Sequence, residues 1–119
     1  MSIDGVVLYE DYVCRIERSI DPAGLRLYGS LDIGAHPVLE HELGNALREG
    51  HDLYVDLSDL EFITVGCMRT FMDAAAYLEI DGCRLVLLGP SPTVRLIIAI
   101  CQESGTRNVE VFPCPTSPR

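Results

Sequence analysis

Between residues 52 and 69 the apolar spacing of this chain changes from that of a strand to that of a helix. Leu53 to Leu57 read as a buried strand, Ser58-Asp59 as a polar turn, and Leu60-Glu61-Phe62-Ile63 as a short apolar step into Thr64. From Met68 onward the period is helical. So abrupt a passage from strand to helix leaves the first N–H groups of the helix without partners and exposes its positive dipole end. Thr64, Val65 and Gly66 are displayed on that helix start. It is a natural seat for a phosphate or for a polar group of a partner.

The rest of the chain is organised around this junction. Residues 14–20 and 24–31 read as two strands joined by the turn-rich Asp21-Pro22-Ala23-Gly24, with Leu25 and Leu27 on one face of the second. Pro37 opens a helix whose inward stripe is Leu39, Leu43, Ala46 and Leu47, and Gly50 sits where a left-handed cap ends it. The helix after Thr64 runs over about 65–80, with Met68, Phe71, Met72, Ala75 and Leu78 inward and Asp81-Gly82 as its stop. Arg84 to Leu88 follows as a near-continuous apolar strand. Ser91 caps and Pro92 opens a third helix, with Val94, Ile97, Ile98 and Cys101 buried and Gly105 at its end. Leu96 and Ile100 fall partly off that stripe and read as core edge, the alternative being a contact surface. Val109 to Phe112 is a short last strand, and Val6-Val7-Leu8-Tyr9 can add an edge strand. Residues 1–112 read as one domain and 113–119 as a flexible tail without the means to pack. Strands alternating with helices imply parallel pairing through right-handed crossovers.

Several function classes are excluded by bulk properties. The formal charge of −9 leaves no basic patch to displace counterions from nucleic acid. It favours solubility or a basic protein partner. No apolar run approaches ~18 residues, so no membrane span is expected. The first dozen residues, with Asp4, Glu10 and Asp11, lack the basic and apolar regions of a signal peptide. The five cysteines are odd in number and show no C-x-x-C pairing, which fits a reducing, cytoplasmic setting. His36, His41 and His51 do not cluster with them, so no metal site is expected, and no cofactor motif is present. There is no nucleophile elbow, Walker loop or paired acid–base constellation, so the chain is read as not an enzyme.

At the junction itself each polar residue has a structural and a functional reading. Thr64 is read as the helix N-cap, with phosphate acceptance as the lesser alternative. Ser58 is a turn former, and Asp56 either organises the turn or contacts a partner. Cys67 falls in the first helical turn, where the dipole favours a thiolate, but burial is its expected fate. Arg69 points away from the inward stripe, free for an acidic partner, a phosphate or water.

Asp56-Leu57-Ser58-Asp59-Leu60-Glu61-Phe62-Ile63 resembles the signature of the STAS domain family, which includes bacterial anti-sigma factor antagonists. Three further segments carry the resemblance: Leu27-Tyr28-Gly29-Ser30-Leu31-Asp32, Gly82-Cys83-Arg84-Leu85-Val86-Leu87 and Ser91-Pro92-Thr93-Val94-Arg95. The second half of the signature departs, with Thr64 in the Asp place, Val65 in the phosphoacceptor Ser place, Gly66 in the second Ser place and Cys67 in the Gly place. The resemblance implies an α/β fold with a mixed four- to five-stranded sheet and helices mainly on one face. It further implies a regulatory protein that binds an anti-sigma factor or GHKL-type kinase-like partner through Asp32, Ser58, Thr64, Val65, Gly66 and Arg69. Val65 cannot take a phosphate, so the usual switch is expected to be absent. Two other readings are a ligand- or nucleotide-sensing module and a scaffold subunit assembling with other STAS proteins. A homodimer is left open.

Overall fold

A computed structural model describes residues 6–20, 23–102 and 108–113. Its strands are β1 (Val6–Glu10), β2 (Cys14–Ile20), β3 (Ala23–Leu31), β4 (Leu53–Ile63), β5 (Leu85–Leu88) and β6 (Val109–Phe112). The helices are α1 (His36–Glu49), α2 (Val65–Ile80) and α3 (Pro92–Cys101), with a 3-10 turn at Ile33–Ala35 before α1. The six strands lie side by side in chain order. β1–β2 and β2–β3 pair antiparallel, while β3–β4, β4–β5 and β5–β6 pair parallel through the three helices. Crossovers that all step the same way, each right-handed, stack their helices on one face. α1 packs on α2 and α2 on α3, and side chains from all three join one core with Ile16, Leu27, Val55, Leu57 and Leu85.

The sheet is mixed, as expected, but has six strands where four or five were implied. Both terminal segments are apolar enough to pair, β1 on β2 and β6 on β5. The buried stripe of α2 agrees with the helical period: Met68, Phe71, Met72, Ala75 and Leu78 are all buried, joined by Cys67 and Ala74. Gly50 ends α1 in the left-handed conformation, φ 68°. Gly29 has φ 80°, and a Cβ there would lie 2.1 Å from the Val13 carbonyl oxygen, so any side chain at this point of the β2–β3 pair clashes.

Two expectations fail. Ser58-Asp59 is not a turn that ends a strand but part of β4, which runs unbroken to Ile63. β3 is long enough to pair along its whole length, and β4 absorbs its extra residues as bulges. Arg26 faces Asp56 and Tyr28 faces Asp59, three residues of β4 advancing against two of β3. The Asp56 carboxylate supplies the bulge with partners, its Oδ1 accepting from the Ser58 N–H at 2.9 Å and the Ser58 hydroxyl at 2.5 Å. Leu96 and Ile100 are not core edge. They are 62% and 45% exposed, because α3 turns Val94, Ile98 and Cys101 to the core and these two lie on its far side. Gly105 and the tail beyond Pro113 lie outside the described residues.

Candidate functional site

The parallel pairing of β3 with β4 brings two chain reversals together at one end of the sheet. The Thr64 N–H donates to the Leu31 carbonyl at 3.1 Å, so the last residues of β3 and β4 finish level. After β3, Asp32 turns the chain: its Oδ1 accepts from the Gly34 N–H at 3.0 Å and its carbonyl from the Ala35 N–H at 3.1 Å. After β4, Thr64 leaves the strand in an extended conformation and its Oγ1 accepts from the Cys67 N–H at 3.2 Å. This is the N-cap that the residue order predicts. A weak Cys67 Sγ–H to Asp32 carbonyl contact of 3.4 Å joins the two reversals.

Cys67 is buried, and burial pushes its thiol up despite the helix start and the Thr64 contact. It is packing material and not a reactive thiol. One turn further along α2, the Thr70 hydroxyl donates to the Gly66 carbonyl at 3.1 Å and lies 2.6 Å from His36 Nε2. Which of the two donates follows the His36 tautomer. This bond ties the first residue of α1 to the first turns of α2.

Between the two helix starts lies a groove of about 560 Å³. Of the residues singled out at the junction, Thr64, Gly66, Cys67 and Arg69 line it, and all but Cys67 are among the six expected to bind a partner. Asp32 stands behind, its carboxylate occupied in the 3-10 turn. Val65 is half-buried and packs against the core. Ser58 is exposed but bonded to Asp56 in the β4 bulge, six residues upstream of Thr64, roughly 15–20 Å by strand rise. The structure therefore gathers three of the six residues on the groove and places Ser58 elsewhere. Ile33 and His36, from the segment that follows Asp32, also line it, and Glu40, Thr70 and Asp73, which the sequence did not point to, complete the lining. Their only signal in the sequence is spacing, His36/Glu40 at i, i+4 and Gly66/Thr70/Asp73 at i, i+4, i+7. Arg69 and Asp73 are exposed, and their side chains make no hydrogen bond or ion pair among the described residues. Among those residues no group of three His, Cys, Asp or Glu could hold a metal ion, and no helix is long and apolar enough to cross a membrane.

A six-stranded mixed sheet with three helices on one face, and a capped helix start displayed beside the β3–α1 turn, defines a two-layer α/β domain. A family described as "Mlab, STAS domain" matches residues 14–102, and the chain belongs to the STAS domain family. Among solved structures, the anti-sigma factor antagonist SpoIIAA in its unphosphorylated form is similar at a TM-score of 0.60 and 22% identity, over 73% of this chain and 76% of that one. A candidate anti-sigma factor antagonist from Thermotoga maritima is similar at a TM-score of 0.63 and 15% identity, over 85% and 86% of the two chains. At these identities the likeness shows the fold. No curated protein matches the sequence.

Proposed function

We propose that this chain is a non-enzymatic, cytoplasmic regulatory protein of the anti-sigma factor antagonist kind. It binds an anti-sigma factor or GHKL-type kinase-like partner through the α1–α2 groove and the helix start at Thr64, and it lacks the usual phosphorylation switch. The observation that carries this reading is the hydroxyl inventory at the helix start. Position 65 holds a half-buried valine, and the neighbouring Thr64 hydroxyl is committed to the Cys67 N–H. The open groove beside it, with exposed Ile33 and Arg69, supplies the contact area that a partner needs. Family membership and the fold shared with SpoIIAA support the general kind.

The test is calorimetric titration of the full chain with a GHKL-type anti-sigma kinase, with and without ATP. Binding that is indifferent to ATP and lost on Gly66→Arg, which fills the groove mouth, supports the reading. Binding that survives Gly66→Arg overturns the groove as the docking face. A nucleotide bound by the chain alone favours the sensing module, and a complex only with other STAS chains favours the scaffold.

A further inference from the structure

α1 and α2 both start at the same end of parallel strands and therefore run parallel. The His36–Thr70 hydrogen bond fixes their relative height. One helical turn on from His36 lies Glu40, and one turn on from Thr70 lies Asp73, so the two residues sit at about the same height on the two helices that line the groove. The Glu40 side chain is 61% exposed, and its one ion-pair-range neighbour among the described residues is the His36 ring, Nε2 at 4.0 Å. Asp73 has the chain's Arg69 one turn back on its own helix, yet the two make no ion pair. That order, base before acid at i, i+4, is the less favourable one along a helix. Glu40 and Asp73 line the groove with Arg69 as its one strong base, so on a chain of formal charge −9 the cleft keeps a negative excess that one further cation relieves. At the groove's upper rim Ile33 is 82% exposed, an apolar knob with no cover among the described residues.

We propose that the groove seats a basic side chain of the partner protein, an arginine above all, between Glu40 and Asp73, with Ile33 entering an apolar recess beside it. This rests on the reading of the groove as the docking face and adds its chemistry. A guanidinium can donate to both carboxylates at once, which an ammonium does less well. Arg69, which lines the same wall one turn back from Asp73, meets an acidic residue of the partner and sets its orientation. The partner segment is thus amphipathic, with a basic residue, an apolar neighbour and an acidic residue farther out.

The probe is a blocked helical peptide of about 16 residues made of Leu, Ala and Arg, with a Glu-for-Arg counterpart, titrated into the ¹⁵N-labelled full chain. The Arg peptide shifts the amides of Glu40, Thr70 and Asp73. Its dissociation constant rises about tenfold or more in the Glu40→Gln/Asp73→Asn double variant, whose exposed sites leave the fold intact. It rises similarly between about 50 and about 500 mM NaCl, whereas Arg69→Gln does not weaken it. Equal binding of the Glu peptide, no shifts at the groove, or an unchanged double variant would overturn the proposal. The kinase-like protein serves as the second arm. If it binds and the double variant binds it equally, the charge chemistry fails and the function stands. If the Arg peptide binds as described and the kinase does not, the function fails and the charge chemistry stands.

Discussion

Phe71→Ala tests the α2 assignment on which the groove depends. Phe71 is completely buried, on the stripe that also carries Met68, Met72, Ala75 and Leu78. A phenylalanine buries roughly 150–250 Å². Trimming it to a methyl group forfeits most of that area, about 3 kcal/mol at ~25 cal/mol per Å². The cavity left behind raises the loss to ~3–5 kcal/mol, since α2 is held between β5, α1 and α3 and cannot collapse freely. A domain of this size holds about 5–15 kcal/mol, so most of that range leaves the variant folded and measurable. In urea, with a slope of about 1.5 kcal/mol per M, the midpoint falls by about 2–3 M. Far-UV circular dichroism at increasing urea reads this directly. A loss below ~1 kcal/mol refutes the reasoning, because no fully buried phenylalanine in a well-packed core is that cheap to remove.

The cap and one charged pair give further expectations. Thr64→Val removes the oxygen that accepts from the Cys67 N–H and costs ~1 kcal/mol, whereas Thr64→Asp keeps the cap, adds charge at the positive helix end and leaves stability equal or higher. Denaturant melting separates the two, and a loss of more than ~1 kcal/mol in Thr64→Asp shows apolar enclosure instead of capping. The His51 pKa is raised by the hydrogen bond to the Asp52 carbonyl and by the Glu49 carboxylate. A raised folded pKa means the imidazolium stabilises the fold at low pH. That contribution is complete below the unfolded value of about 6.5 and is lost as pH rises through the folded value. The pair is exposed, so the increment is small and salt-screened. Denaturation of wild type and His51→Gln at about pH 6 and about pH 8 tests it: the wild-type advantage shrinks with pH, and an advantage that grows contradicts the sign.

The sequence carried the helices well because each has both a period and punctuation. Thr64 and Ser91 cap, Pro37 and Pro92 open, and Gly50 and Gly82 close with positive φ. β4 was read short because its bulges break the two-residue alternation: Ser58, Asp59 and Glu61 look like a loop when read alone, yet β3 pairs with Asp56, Asp59, Leu60, Phe62 and Ile63 on either side of the bulges and carries the strand through. The Leu96 and Ile100 error has a related cause, since apolar character on a short helix does not say which side has a neighbour. The helix start at Thr64, Gly66 and Arg69 was legible from local spacing. The groove was not. It exists only because α1 and α2 lie parallel at one height, and no local pattern in either helix encodes the phase that sets His36 on Thr70 and Glu40 at about the height of Asp73.

The central claim is that this STAS domain binds its partner without a phosphorylation switch. Its most direct test is mass spectrometry of the full chain after incubation with ATP and a kinase that phosphorylates ordinary STAS antagonists, with the Val65→Ser variant alongside. The account predicts no phosphate on the wild-type chain, because Val65 has no hydroxyl and the Thr64 hydroxyl is engaged at the Cys67 N–H. In Val65→Ser it predicts phosphate at position 65, on a helix start suited to anions. Stoichiometric phosphate on Thr64 of the wild-type chain would contradict it.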